Sequence, residues 1–173
     1  MKCGPIVFGE ATPGFDLACA YIDLENSLTQ ALNYFKEAGV KRLGVVLGRS
    51  KNLSYNSKLT LQLCETLMPG FKNEYVFWDG CSGEKGLVAS EFFKEKKVDG
   101  ILANGDEIAA IIYRSYTEGT APLMVGRENL LLSEILGFST IDHHLEECGK
   151  LAFELFEQER MEQIKIPCTF IRR

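Results

Sequence analysis

Long apolar runs are missing from this chain of 173 residues. The longest, such as Ile108 to Tyr113, have six residues, against the ~20 apolar residues that a membrane-spanning helix needs. No transmembrane helix and no membrane partner are expected. An export signal is not expected either, because Glu10 and Asp16 follow Lys2 where a signal peptide needs an uninterrupted apolar stretch. The expected location is therefore cytoplasmic. An excess of basic residues is also missing: 19 Lys and Arg stand against 24 Asp and Glu, for a formal charge of -5. That is the wrong sign for a surface that holds phosphate backbones by releasing counterions, so this chain is not expected to bind nucleic acid itself. Close cysteine pairs are missing as well. Cysteines 3, 19, 64, 81, 148 and 168 are scattered, which indicates neither a zinc site nor a disulfide framework, and several fall on apolar faces where a thiol serves as a small hydrophobe.

The common catalytic signatures are absent too. There is no Gly-x-Gly-x-x-Gly, no phosphate-binding loop, no Gly-x-Ser-x-Gly elbow and no His-Glu-x-x-His. Phosphate and zinc enzymes are disfavoured, and no cofactor, metal ion or catalytic residue is expected. What is present is 46% apolar residues with ordinary glycine and proline usage, enough for a globular core with no linker or repeat.

The apolar spacing alternates between helix and strand. Leu24, Leu28, Ala31, Leu32 and Phe35 recur at three and four residues and predict a helix over 23–38, ended by Gly39. Arg42-Leu-Gly-Val-Val-Leu-Gly48 reads as a buried parallel strand. Helices follow over 54–67, 83–96 and 106–117, with strands over 74–78, 98–103 and 122–126 between and after them. Leu130 to Glu134 reads as a loop or short turn, 135–141 as a strand, 144–159 as an amphipathic helix and 163–171 as a final strand. Four strands separated by helices imply an α/β fold with a parallel sheet and right-handed crossovers.

Such sheets take ligands at the carboxyl ends of their strands. Here those ends are polar: Arg49-Ser-Lys-Asn52, Asp79-Gly-Cys-Ser82, Asn104-Gly-Asp-Glu107 and Arg127-Glu-Asn129. Capping and turn chemistry alone favours Asp, Asn, Ser and Gly at such places. Arg127 and Glu128 are not cap residues, and their plainer reading is a solvated surface pair. Asp142-His143-His144 reads as an exposed helix start and not as a metal site. Cys81 could be a thiol activated at a helix N-terminus, though it has no evident His partner. Trp78 suits either core packing or stacking on a sugar ring.

Val98-Asp-Gly-Ile-Leu-Ala-Asn-Gly-Asp-Glu-Ile-Ala109, Tyr116-Thr-Glu-Gly119, Pro122-Leu-Met-Val-Gly126 and Gly137-Phe-Ser-Thr-Ile141 together resemble the effector-binding domain of the LacI/GalR family of bacterial transcription regulators. The segment from Asp23 to Val46 is similar to the family's first helix and the following strand of that region, with Val40 where the family has a His. The resemblance covers nearly the whole chain. It implies doubly wound parallel sheets of the type I periplasmic-binding-protein-like kind, with one complete C-terminal lobe and a partial N-terminal lobe. With crossings near Val40, Leu130 and Glu162, residues 1–40 and 131–162 would form the partial N-terminal lobe, and 41–130 with 163–173 the C-terminal lobe. The family's helix-turn-helix is not in this sequence, and Gly4-Pro-Ile-Val-Phe8 looks like a later strand of the N-terminal lobe, so the chain reads as part of a longer regulator.

The function so implied is that of the effector-binding and dimerisation part of a repressor. A small sugar or nucleoside would bind in the interlobe cleft, operator DNA would be met only through the missing N-terminal domain, and the chain would be a homodimer. Carried over by position, the effector contacts are Asn26, Ser54, Lys58, Cys81, Gly105 and Glu128, with Trp78 as a neighbouring stacker. Asp106 matches the family's acidic residue at the start of its helix. The alternatives are a solute-binding or sensor protein of the same fold, and a small α/β enzyme using Cys81.

Overall fold

The computed structural model describes residues 7–9, 18–49, 53–80, 84–116 and 121–173. Its elements run β1 (Val7–Gly9), β2 (Cys19–Asp23), α1 (Leu24–Glu37), β3 (Leu43–Val46), α2 (Tyr55–Leu67), a 3₁₀ turn (Asn73–Tyr75) and β4 (Val76–Phe77). They continue through α3 (Glu84–Lys96), β5 (Gly100–Leu102), α4 (Asp106–Arg114), β6 (Leu123–Arg127), α5 (Leu131–Leu136), β7 (Ser139–Asp142), α6 (Leu145–Glu157), β8 (Gln163–Pro167) and β9 (Thr169–Ile171).

Successive strand residues point to opposite faces, and in the larger sheet both faces find apolar partners. Val45, Leu102, Val125 and Ile141 share one core with Leu28, Leu32 and Phe35 of α1 and Leu59 and Cys64 of α2. Their neighbours Val46, Ile101, Ala103 and Met124 share the opposite core with Ala89 and Phe93 of α3 and Ile108, Ala109 and Ile112 of α4. The strand order is β4-β3-β5-β6-β7-β9, parallel throughout except for β9, which runs antiparallel to β7. A second sheet, β1-β2-β8, is parallel and is covered by α6 through Cys148, packed with Ala20 and Ile166.

Local chemistry sets the element ends. Ser54 caps α2, its hydroxyl accepting from the Ser57 N–H at 3.2 Å. Gly137 ends α5 at φ 73°, where a side chain would be strained.

The structure corrects several expectations. The stretch read as a loop at Leu130–Glu134 opens α5, and the strand expected over 135–141 shortens to β7. The strand expected over 74–78 keeps two paired residues after a 3₁₀ turn. The single final strand is two strands in different sheets, with buried Cys168 at the break: β8 pairs with β2, and β9 pairs with β7.

The lobe boundaries move for the same reason. α1 packs on α2, β7 and β9, so residues 24–40 join the larger lobe, as does β7. The chain therefore passes between the sheets at Asp23–Leu24, around 143–144 and at Cys168, not at Val40, Leu130 and Glu162. The strand proposed at Gly4–Phe8 is represented by β1; residues 1–6, Cys81, Gly83 and Thr117 lie outside the described residues.

Phe35 is fully buried under the larger sheet, whereas Phe153 on α6 is 58% exposed. Phe35→Ala is expected to lower the unfolding free energy by about 3–5 kcal/mol. Phe153→Ser should change it by less than about 0.5 kcal/mol, both read from urea denaturation.

Candidate functional site

Each passage between the sheets fixes their relative direction. β2 ends at Asp23 and the chain enters α1; β8 ends at Pro167 and the chain enters β9 beside the carboxyl end of β7; β7 ends at Asp142 and the chain enters α6. Every departure is from a carboxyl end, so the two sheets face each other across their carboxyl edges. Polar contacts join the passages. The His144 N–H donates to Asp142 Oδ1 at 2.8 Å, the His144 imidazole Nε2 meets Thr169 Oγ1 at 2.9 Å, and Asn129 Nδ2 donates to Asp142 Oδ2 at 3.0 Å.

The strand ends of the larger sheet carry the polar residues. After β4 the chain folds back onto the turn after β3: the Asp79 N–H donates to the Gly48 carbonyl at 2.8 Å and the Gly80 N–H to that of Leu47 at 3.0 Å. Trp78 is half-buried against the core on the α1–α2 side. After β5, Asp106 opens α4 and is wholly buried. Its carboxylate accepts from Thr140 Oγ1 on β7 at 2.7 Å and from the Leu130 N–H at 2.7 Å, which ties three strand ends together. Only a glycine fits opposite it, since a Cβ at Gly126 would lie 2.1 Å from Asp106 Oδ1. Burial raises the Asp106 pKa, and its hydrogen bonds to Thr140, Leu130 and Ser133 pull the other way. Both Asp106 oxygens thus serve the scaffold.

Glu128 is the exposed counterpart of that buried acid. It follows β6 at φ 102°, and Asn129 follows at φ 52°. A left-handed glutamate is a strained backbone, of the kind that collects at functional sites. The carboxylate of Glu128 reaches back to the N-terminus of α4, where it accepts the Asp106 N–H and lies 3.5 Å from where a Gly105 side chain would begin. A Cβ at Gly105 would make only an ordinary van der Waals contact with that carboxylate. Partial burial raises the Glu128 pKa, followed by the charges of Asp106 and Glu107.

The remaining expected contacts stand at the helix N-termini of the same edge. Asn26 lies in the first turn of α1, exposed, its amide oxygen accepting from Gln30 Nε2 at 2.9 Å. Ser54 and Lys58 are exposed in the cap and first turns of α2. Cys81 lies outside the described residues.

Three further residues emerge on the α1–α2 side of the edge. Arg127, expected on a solvated surface, is only 6% exposed; its Nη2 donates to Thr60 Oγ1 on α2 at 3.0 Å, and its Nε is buried without a partner. Burial brings its pKa down to about 10. His143, expected in the open, buries its Nε2 without a partner, and Asn104 does the same with its Oδ1. The sequence signal for all three is parity: they share the strand face of Val125, Ile141 and Leu102.

No family model matches the chain. Catabolite control protein B of Bacillus subtilis (strain 168) is 26% identical over 174 residues, covering 98% of this chain; the chain spans 56% of that protein's length. Among solved structures, a LacI family transcriptional regulator from Arthrobacter sp. FB24, in complex with lactose, superposes with a TM-score of 0.81 at 18% identity. That match covers 97% of this chain and 69% of that one. Another from Enterococcus faecalis V583, with bound ribose, gives 0.81 at 19% identity, covering 97% and 66%.

The pKa of His143 is held at about 4 against an ordinary 6.5, first by burial and then by the Arg127 charge. A depressed histidine binds its proton more tightly in the unfolded chain. Its contribution to stability is thus complete above pH 6.5 and drains away as the pH falls toward 4. Asp106 and Glu128, with raised pKa values, act oppositely and lose stabilisation as pH rises above the ordinary carboxylate range. The melting midpoint should therefore fall across that acid window less steeply in His143→Gln than in the unaltered chain.

In fold the chain matches the LacI family transcriptional regulators of the solved structures, and in sequence it is similar to catabolite control protein B.

Proposed function

We propose that the chain is the effector-binding and dimerisation part of a transcriptional repressor, which takes a small sugar or nucleoside between its lobes and so controls DNA binding by a region outside this chain. The observation that carries the reading is the pair of carboxyl edges facing each other, with strained, exposed Glu128 at the α4 N-terminus between them. A carboxylate accepts sugar hydroxyls, and the helix N-termini of that edge offer N–H groups to ligand oxygens. The lactose and ribose held by the two similar regulators support a sugar. The similar proteins are regulators, and the role proposed here is control without catalysis.

A ligand that touches both lobes binds the closed form better than the open one and shifts the population accordingly. Regulation needs a coupling of about 1–3 kcal/mol between effector and DNA. The passages at Asp23–Leu24, 143–144 and Cys168 are where closure bends the chain, and left-handed His144, at φ 49°, is already turned there.

A thermal-shift screen against pentoses, hexoses and nucleosides tests the reading, because a ligand specific to the folded state raises the midpoint. A rise that vanishes in Glu128→Ala is the expected result, and a rise that survives it removes Glu128 from the site.

Dimerisation is supported by the apolar groove of about 550 Å³ between α4 and α5, lined by Ala110, Ile111, Leu132 and Ile135, and by exposed Leu131 beside it. Sedimentation should show a homodimer; a monodisperse monomer would contradict this part of the proposal.

A further inference from the structure

Resting on the cleft reading above, we propose further that the effector carries an anionic group, a carboxylate or a phosphate, received by the guanidinium of Arg127 beside the imidazole of His143. Arg127 is buried at the carboxyl end of β6, its Nε has no partner, and no carboxylate of the described residues lies within ion-pair distance of it. A buried guanidinium without an anion is costly, which makes its retention at a ligand edge informative.

The neighbours do not fill the gap. The thiols of Cys64 and Cys168 face Arg127, but burial pushes them up to about 12 and about 11, so both are neutral at physiological pH. Thr60 supplies one neutral oxygen. Glu128 is the carboxylate in electrostatic reach, yet it turns to the α4 N-terminus, beside the position a Gly105 side chain would take. Asp142 is occupied by Asn129 and the His144 N–H.

Two more unpaired atoms accompany the arginine. His143 Nε2 is buried without a partner and lies within the field of Arg127, and Asn104 Oδ1 is similarly orphaned one strand away. A ligand oxygen satisfies Arg127 Nε directly and His143 as a donor, while a ligand hydroxyl donates to Asn104. Arginine suits such a group because its planar fork matches two oxygens of a carboxylate or phosphate. The anion-receiving side is thus the α1–α2 face of the edge, and the hydroxyl-gripping side is the α4 face with Glu128.

The test measures melting midpoints and the imidazole proton signals of the chain with D-glucose, D-ribose, D-gluconate, D-glucose 6-phosphate and inorganic phosphate at millimolar concentration. The chain has two histidines, so His143→Gln assigns the signals. Either gluconate or glucose 6-phosphate should raise the midpoint by several degrees and move the His143 signals, and which of them does so separates a carboxylate from a phosphate. The response should vanish in Arg127→Met, which keeps an unbranched chain of similar length. In Arg127→Lys, which keeps the charge and loses the fork, affinity should drop about tenfold. A midpoint rise with neutral sugars alone, lost in Glu128→Ala, would leave the cleft reading standing and overturn this one. It is equally overturned if no anion moves either readout, or if Arg127→Met keeps the anion response.

Discussion

Three passages between two parallel sheets, each leaving from a carboxyl end, are the constraint on which the rest of the structure depends. They turn both carboxyl edges toward one another, so the N-termini of α1, α2 and α4 open onto the same space. Helix dipoles then favour negative and oxygen-rich groups there. The polar residues at the strand ends follow from this, because backbone N–H groups at that edge must find partners in side chains or in a ligand.

Within the edge, the buried acid Asp106 and the exposed acid Glu128 take separate parts. Asp106 spends both oxygens on β7 and on the turn into α5, and this fixes the chain that presents Glu128. Arg127 and Glu128 are consecutive and diverge, one onto Thr60 of α2 and the other onto the start of α4. The end of β6 therefore offers a cation on one side and an anion on the other. The strain at Glu128 and the unpaired polarity at Arg127, His143 and Asn104 all fall at this edge. Binding sites concentrate such departures from the most stable choice.

Most of this fold is legible in the sequence, for physical reasons that also mark where it is not. α1 and α4 show their apolar stripes, and Ser54 and Asp106 stand where their helices begin. The alternation of helix and strand yields the parallel sheet. α5 is hidden because Leu130, Leu131 and Leu132 are consecutive and exposed, so no stripe with a helical period forms. The switch at Cys168 is hidden because strand patterning reports burial and not which sheet a strand joins. The lobe boundaries fail with it. At the site, Glu128 and the turn residues are visible as polar strand ends, whereas buried Arg127 and His143 read as surface groups. A charged residue at a strand end is ordinarily solvated, and only the packing of α2 over that face removes the water.

Trp78 gives the most direct measurement of the central claim, that a small polar ligand binds between the carboxyl edges. It is the single tryptophan of the chain and stands at the end of β4, half-buried beside the edge. Its fluorescence should change saturably on titration with a sugar that raises the melting midpoint, and that change should be lost in Glu128→Ala. A saturable change that Glu128→Ala leaves intact, or flat emission while the midpoint rises, would put the ligand elsewhere and contradict the account.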